Sequence, residues 1–160
     1  MINIVQADFS NKNHSDDYVR VLSEYALDVM GGGTALNSRV QNNLASEIAK
    51  REFITVFMAY EKEHAIALIT CIEGFSTFQC RPLINIHDVY VAKDYRGLGV
   101  STKLLLAAEK LAITNSCCKL TLEVLQGNTI AKKAYQKLGF KSYELNPDIG
   151  GALFWEKILD

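Results

Sequence analysis

The chain has 160 residues, 49% of them hydrophobic and 22% charged, and its 17 basic and 18 acidic residues leave a formal net charge of -1. This length suits one domain with its own hydrophobic core, so we expect a single domain over residues 1–160. The balanced charge lacks the broad positive field that follows a nucleic-acid backbone, which argues against a nucleic-acid partner.

Hydrophobic periodicity in the first half of the chain predicts one strand, two helices and a hairpin. Apolar residues at helical spacing from residue 16 onward predict a helix that ends at Gly31-Gly32-Gly33, where we expect a flexible connection. Ser38 and Gln41 match a capping box, in which the two side chains satisfy reciprocal backbone amides at the start of the second helix. In chain order these elements are a strand at 2–6, helices at 16–29 and 39–50, and strands at 53–60 and 64–72.

The second half alternates strands with helices and contains the more distinctive turns. Gly97 and Gly99 lie between a strand and a long amphipathic helix. Asn128 is placed as the N-cap of the last helix, and Gly139 as the left-handed residue that ends it. The predicted strands of this half cover residues 83–91, 119–125, 141–145 and 152–158, with helices after Gly99 and after Asn128.

This order of elements predicts an α/β fold with a mixed, mostly antiparallel central sheet of about seven strands, flanked by four helices. Neighbouring strands in sequence favour antiparallel pairing. The strand-helix-strand segment from Leu83 to Leu125 instead requires a parallel crossover, because a helix returns the chain to the same end of the sheet.

The chain gives no sign of export, membrane insertion or metal binding. Residues 1–8 have no basic cluster ahead of an apolar run, and no apolar stretch reaches the roughly 18 residues that span a bilayer. We therefore expect a cytoplasmic protein with no membrane partner. The cysteines lack CxxC or Cys/His spacing, so we expect buried thiols and no metal site; they are Cys71, Cys80, Cys117 and Cys118.

The turn before the third helix has the composition of a phosphate-binding loop. Gly97 and Gly99 leave backbone amides uncovered at the positive end of a helix dipole, which suits a pyrophosphate. A Walker A loop would need glycine directly before Lys103, and a Rossmann fingerprint would need a third glycine at Thr102. Both are excluded, and an ordinary tight turn stays as the alternative for two glycines.

Two segments resemble the GNAT superfamily of acyl-CoA-dependent N-acetyltransferases. Residues 96–101 read Arg-x-x-Gly-x-Ser and are similar to that family's Arg/Gln-x-x-Gly-x-Gly/Ala loop, from which Ser101 departs. Residues 131–140 carry the spacing Ala-x-x-x-Tyr-x-x-x-Gly-Phe at the end of the last helix. Together with their flanking strands, these segments cover about the C-terminal half of the chain.

The resemblance implies that acetyl-CoA is a co-substrate, and we expect no metal. It implies that the pantetheine arm pairs with the strand backbone as an added strand would, at Val89, Tyr90 and Val91. The implied pyrophosphate loop consists of Arg96, Gly97, Leu98, Gly99, Val100, Ser101 and Thr102. Asn128 would contact the arm near the thioester, although capping the last helix is an equally good explanation for this residue.

Three residues are candidate catalytic groups. A primary amine must lose a proton before it attacks a thioester, and His87 lies where the resemblance places the base. Its alternative role is that of a half-buried strand residue hydrogen-bonded to a neighbour. Regular alternation puts His87 on the face of Val89 and Val91. Asp88 would lie on the other face and is a reserve base if a bulge turns it. Tyr135 matches the family's acid for the leaving thiolate, and its alternative role is that of a core aromatic.

We expect a small-molecule amine as the acceptor, because the chain has no added domain or extended charged face for a macromolecule. The resemblance implies direct attack in a ternary complex, with the acceptor framed by residues 31–35 and 147–151, and it allows a homodimer. Candidate lining residues are Tyr25, Phe75, Phe78 and Trp155. A peptide amine as acceptor, or a regulatory acyl-CoA-binding module without catalysis, are the alternatives.

Overall fold

A computed structural model of the protein describes residues 1–144, 146, 148 and 150–159. The chain divides into two compact units, Met1–Leu122 and Glu123–Asp160. The strands are β1 (Ile2–Gln6), β2 (Ile54–Glu61), β3 (His64–Ser76), β4 (Arg81–Val91) and β5 (Leu120–Leu122). The helices are α1 (Lys12–Leu27), α2 (Ser38–Ala49), α3 (Val100–Thr114) and α4 (Thr129–Lys137), with 3₁₀ turns at Val29–Gly31 and Lys93–Tyr95.

The first unit is built on one sheet with the strand order β1-β2-β3-β4-β5. The first four strands pair antiparallel in sequence order. Helix α3 carries the chain from β4 to β5, and these two strands pair in parallel over Ile84–Ile86 and Leu120–Leu122. The prediction of a mixed, mostly antiparallel α/β fold with four helices is therefore confirmed.

The predicted number of strands is wrong, because the described residues form five strands and not seven. In the segments predicted as strands at 141–145 and 152–158, the described residues contribute only an isolated bridge between Glu144 and Gly151. The parts of those predictions that fall on Leu145, Pro147 and Ile149 lie outside the described residues. A composition rich in β-branched and aromatic residues indicates side chains that pack well on a pleated surface. A strand also needs a neighbouring strand with which to exchange hydrogen bonds.

The sheet is covered on both faces. Residues 65–71 of β3 are buried without alternation, which requires a layer on each side of the sheet. One layer is α1 and α2, whose core cluster with the sheet is Tyr18, Val21, Ile48, Val56, Met58, Tyr60, Ala65, Leu68 and Tyr90. The other layer is α3, which contacts β1 to β4 and buries Val100, Leu104, Leu105, Ala108 and Ala112.

The helix ends follow local hydrogen-bonding chemistry, with one correction. The predicted capping box of Ser38 and Gln41 is wrong: the N-cap of α2 is Asn37, whose side chain accepts from the Val40 amide at 2.9 Å. Asn37 lies at the three-residue spacing that such a bond needs, so Ser38 is already helical. The Gln41 side chain donates instead to the Leu36 carbonyl. In the second unit, the predicted N-cap Asn128 of α4 and the left-handed Gly139 are confirmed.

The four cysteines are free thiols, and the prediction that they are buried holds only for Cys71, since Cys117 and Cys118 are half-buried and Cys80 is exposed. Cys71 lies in the core, and burial raises its pKa to about 12, so it is a neutral thiol at physiological pH. Cys80 is exposed, because it lies in the turn between β3 and β4 and not in a strand. Within the described ranges, no helix is long and apolar enough to cross a bilayer.

Candidate active site

A β-bulge in β4 separates the two candidate bases. The register pairs Ile86 with Cys71 and Asp88 with Thr70, so His87 is an extra residue without a partner in the ladder between the described strands. Cys71 and Thr70 are consecutive residues of β3, and consecutive strand residues point to opposite faces. Ile86 and Asp88 therefore lie on opposite faces of the sheet, although they are two residues apart.

The bulge corrects the alternation predicted through His87. Val89 and Val91 pair with Ile69 and Ala67, but His87 is exposed and interrupts the pattern, so regular alternation through it is wrong. Asp88 lies opposite Thr70, on the face that α1 covers. The bulge that the sequence required for Asp88 to become a candidate base is thus present.

Asp88 lies next to a buried pair of hydroxyl groups. The Tyr18 hydroxyl, on α1, and the Thr70 Oγ1 are 3.2 Å apart, and the two residues are only 1% and 3% exposed. Burial raises the pKa of the Asp88 carboxyl, while the nearby His87 and a hydrogen bond with Thr70 oppose the rise. The Asp88 carboxyl group is therefore hydrogen-bonded to a threonine that α1 in turn contacts through Tyr18.

Two tyrosines of α1 near Asp88 have raised pKa values and stay neutral. Burial raises the pKa of Tyr18 to about 12. Burial and, after it, the charges of Asp88 and Asp28 raise the pKa of Tyr25. The Tyr25 ring stacks on the Tyr90 ring with their centroids 5.5 Å apart. Tyr25, predicted to line an acceptor pocket, thus packs between α1 and β4.

Within the first unit, one edge of β4 is unpaired beside the bulge. Val89, Tyr90 and Val91 pair with β3 on one side. On the other side, the described part of β5 pairs with β4 over residues 84–86 only, so the two strands separate before the bulge. A strand edge of this kind can bind an extended chain through its backbone groups.

The turn that follows β4 is open to an anion. Gly97 and Gly99 have φ values of +79° and +76°, and a Cβ built at either one meets no described atom within 4 Å. Gly99 is the N-cap of α3 and has no side chain with which to occupy the first amides of the helix. These amides lie at the positive end of a 15-residue helix, so the turn suits a pyrophosphate.

The residues around these glycines differ in what they expose. Leu98 is exposed, and Ser101 and Thr102 are half-buried. The Val100 side chain is 1% exposed and packs in the core, so only its backbone amide can face a ligand. Ser101, the departure from the family pattern, thus stands on the first turn of α3 without being fully buried.

The Arg96 side chain is already bound by the protein. Its Nη2 donates to the Asp28 carboxylate at 2.8 Å, and its Nε donates to the Val91 carbonyl at 2.9 Å. Sequence reasoning missed Asp28, because its partner is 68 residues away and no local pattern connects them. The sequence signal that could have indicated Asp28 was an acidic residue at the end of α1, shortly before the glycines at residues 31–33.

The three glycines after α1 form a hydrogen-bonded turn. The amides of Gly31 and Gly33 donate to the Asp28 carbonyl, and the Thr34 amide donates to the Ala26 carbonyl. Gly31 is required by close packing, since a Cβ there would lie 2.0 Å from the Tyr25 carbonyl oxygen. The segment predicted to frame the acceptor is therefore held to the end of α1.

The second unit carries the remaining predicted residues. Asn128 accepts a hydrogen bond from the Ala131 amide at 3.1 Å and so caps α4. Tyr135, on α4, is half-buried and packs against Phe140, with 5.9 Å between ring centroids. Trp155 is exposed in this unit, as Phe75 and Phe78 are in the first, so the structure does not confirm a shared aromatic lining. The described side chains include no cluster of three or more His, Cys, Asp or Glu that could hold a metal.

Comparison with known proteins identifies the kind of domain. The model of the acetyltransferase (GNAT) family matches residues 15–140. A curated relative, the thialysine N-epsilon-acetyltransferase of Bos taurus, is 35% identical over 66 residues, which are 41% of this chain. The chain spans 38% of the length of that relative.

Two solved structures have a similar fold. One, a probable acetyltransferase, matches with a TM-score of 0.82 and 19% sequence identity over 99% of each chain. The aminoglycoside N-acetyltransferase AAC(6')-Iy, in complex with the bisubstrate analog CoA-S-monomethyl-acetylneamine, matches with a TM-score of 0.76 and 19% identity over 99% of each chain. At these identities the likeness concerns the fold.

Proposed function

We propose a function for this chain from one premise, which is that it belongs to the acetyltransferase (GNAT) family. We propose that it transfers the acetyl group of acetyl-CoA to a primary amine of a small molecule. The observation that carries the proposal is the open turn at Gly97 and Gly99, which joins the available edge of β4 to α3. An acyl-CoA needs both features, one for its pyrophosphate and the other for its extended arm.

The binding roles follow from what each segment offers. When bound, acetyl-CoA supplies an acetyl group activated as a thioester. The backbone amides from Gly97 to Thr102 would hold the pyrophosphate, and the backbone of β4 at Val89–Val91 would hold the arm. Asn128 stays a proposed contact to the arm in addition to its role as a cap.

The amine must reach the thioester without its extra proton. A primary ammonium has a pKa of about 10, so a group on the protein must accept that proton near neutral pH. Asp88 is supported by the bulge and by the Thr70 bond that holds its carboxylate. A carboxylate there would also attract the ammonium before deprotonation. His87, exposed at the bulge, is the second candidate, acting directly or through a water.

Tyr135 is the proposed acid. Attack in a ternary complex forms a bond from the amine nitrogen to the acetyl carbon while the carbon-sulfur bond breaks, and the sulfur leaves with the electron pair. The Tyr135 hydroxyl would donate a proton to that sulfur. Family resemblance supports this role, and replacement by Phe removes the hydroxyl while keeping the ring.

Names of similar proteins support a small-molecule acceptor. A thialysine N-epsilon-acetyltransferase and an aminoglycoside N-acetyltransferase are both named for small amines. A peptide amine, and a regulatory acyl-CoA-binding module without turnover, stay as alternatives. The cytoplasmic location and the homodimer also stay predictions from the sequence.

The test is release of the CoA thiol from acetyl-CoA over a panel of amines, run with the wild type and Tyr135→Phe. The panel contains polyamines, arylalkylamines, amino acids, aminoglycosides and short peptides. We expect turnover with one class of small amine, with kcat at least tenfold lower in Tyr135→Phe and an unchanged unfolding midpoint. Turnover with peptides alone would reject the small-molecule acceptor, and full activity of the variant would reject Tyr135 as the acid.

A further inference from the structure

The Arg96 guanidinium is held from three directions, all within the first unit. Besides its bonds to Asp28 and the Val91 carbonyl, it lies 5.6 Å above the centre of the Tyr90 ring. Arginine is effectively always charged and presents its donors in a rigid fork, so contacts of this kind fix its orientation. Because Arg96 directly precedes Gly97, fixing its side chain also fixes the start of the glycine turn.

Asp28 makes two different contacts with one buried carboxylate. Its side chain is only 6% exposed, whereas that of Arg96 is 46% exposed. One oxygen accepts from Arg96 Nη2, and the other accepts from the Met30 amide at 3.0 Å, which caps the 3₁₀ turn Val29–Gly31. The Arg96 bond and, after it, the Met30 bond lower the pKa of Asp28, so the carboxylate is ionised at physiological pH. The same group therefore joins the turn after α1 to the loop before α3.

A ring stack strengthens this junction. Tyr25 precedes Asp28 by three residues and stacks on Tyr90, the residue over which Arg96 lies. The end of α1 thus contacts the end of β4 through the aromatic rings and the loop before α3 through the ion pair. Such a closed set of contacts resists independent movement of its two sides.

We infer that Asp28 is a positioning residue for CoA binding, which acts through Arg96 to hold the pyrophosphate loop and ties that loop to the turn at residues 28–34. The inference rests on the proposed function, because it takes residues 96–102 as the pyrophosphate loop. The Arg96 side chain then holds the loop in place, and CoA binding at the loop stabilises the turn at residues 28–34. The sequence pattern, by contrast, suggested that Arg96 itself belongs to the phosphate contacts.

Long-range electrostatics alone would give the opposite effect on CoA binding when Asp28 loses its charge. Removal of a negative charge beside an anion site should strengthen anion binding. Loss of a residue that pre-orients the site should weaken it. The two views therefore differ in sign for Asp28→Asn, which keeps the size of the side chain and an oxygen for the Met30 amide but loses the charge.

The experiment measures CoA binding by calorimetry in the wild type and three variants. Asp28→Asn removes the ion pair. Arg96→Lys keeps the positive charge but loses the planar fork that reaches both Asp28 and Val91. Glu47→Gln is the control, since it breaks the ion pairs of Glu47, on α2, with Lys50 and Arg51 just after that helix. Amide hydrogen exchange is followed at residues 30–34, with and without saturating CoA.

We expect the Kd for CoA to rise about tenfold in Asp28→Asn and in Arg96→Lys, the effect of losing about one charge-assisted hydrogen bond, and to stay within about twofold in Glu47→Gln. We also expect CoA to slow exchange at residues 30–34 in the wild type and not in Asp28→Asn. A purely structural role would lower stability without removing that CoA-dependent protection. Unchanged or tighter CoA binding by Asp28→Asn overturns the inference alone, whereas no CoA binding by the wild type overturns the proposed function as well.

Discussion

The extra residue His87 in β4 decides which side chains lie under α1. If His87 were a regular strand residue, Asp88 would share the face of Ile86, and its carboxyl group would point into the layer covered by α3. Because His87 is bulged, Asp88 lies opposite Thr70, and Thr70 contacts Tyr18 across 52 residues of sequence. Hydrophobic alternation could not locate this bulge, because its position is set by the register with β3 and leaves no mark in the β4 sequence itself.

The raised pKa of Asp88 has a consequence for stability. When the pKa of a carboxyl group is higher in the folded protein than in the unfolded chain, the folded protein loses stability as the pH rises through that raised value. Asp88→Asn has no charge to desolvate, so we predict a larger free energy of unfolding than the wild type at pH 7. The difference should shrink in acid, where the wild-type carboxyl is protonated. Urea unfolding at both pH values measures it, and a less stable variant at pH 7 would contradict the buried-carboxylate account.

The two candidate bases can be separated by turnover. Loss of a general base costs about 10² to 10⁴-fold in rate. We predict that Asp88→Asn lowers kcat/KM within this range, while His87→Gln lowers it by less than about tenfold. Release of the CoA thiol, measured with the amine of the panel that reacts fastest, gives kcat/KM for both variants. If His87→Gln shows the larger loss, His87 is the base and Asp88 serves to orient it.

At the scale of elements, the positions of turns were easier to predict than the residues with which strands pair and helix caps bond. Gly97 and Gly99 correctly marked the junction of β4 and α3, because a left-handed backbone before a helix strongly favours glycine. The cap of α2 was misplaced by one residue, since both Asn37 and Ser38 can cap and the choice depends on backbone geometry. Strands at 141–145 and 152–158 were predicted from composition alone, which does not show whether a pairing partner exists.

The pyrophosphate loop predicts a clear difference between two glycines. Gly99→Ala must adopt a left-handed conformation that costs about 1 to 2 kcal/mol, but its methyl group meets no described atom. We predict that the fold persists and that CoA affinity falls at least about tenfold, because relief of this strain moves the loop backbone away from the conformation that binds the pyrophosphate. Gly139→Ala is the control, with a φ of +89° at an equally open position after α4.

Calorimetry with CoA and thermal unfolding of both glycine variants checks this prediction. Similar losses of stability with a loss of CoA affinity in Gly99→Ala alone would support the loop. Equal CoA affinity in the two variants would show that Gly99 serves only the turn.

At the scale of the whole molecule, topology could be predicted while long-range contacts could not. The order of elements was enough for a mixed sheet with one parallel crossover, because the connection between β4 and β5 leaves no other pairing sense. The glycine loop and the motif at 131–140 were enough to indicate the family, and the match of the family model to residues 15–140 confirms it. The Asp28–Arg96 and Tyr18–Thr70 contacts join distant segments through side-chain packing, which no local pattern encodes.

The central claim is that the loop of residues 96–102 binds the pyrophosphate of acetyl-CoA. Calorimetric titration of the wild-type chain with acetyl-CoA, and with ATP and NAD as competitors, tests it most directly. We predict one acetyl-CoA per chain, bound at least about a hundredfold more tightly than either nucleotide, which corresponds to roughly 2.7 kcal/mol. Equal affinity for the three ligands, or no binding of acetyl-CoA, would contradict the account.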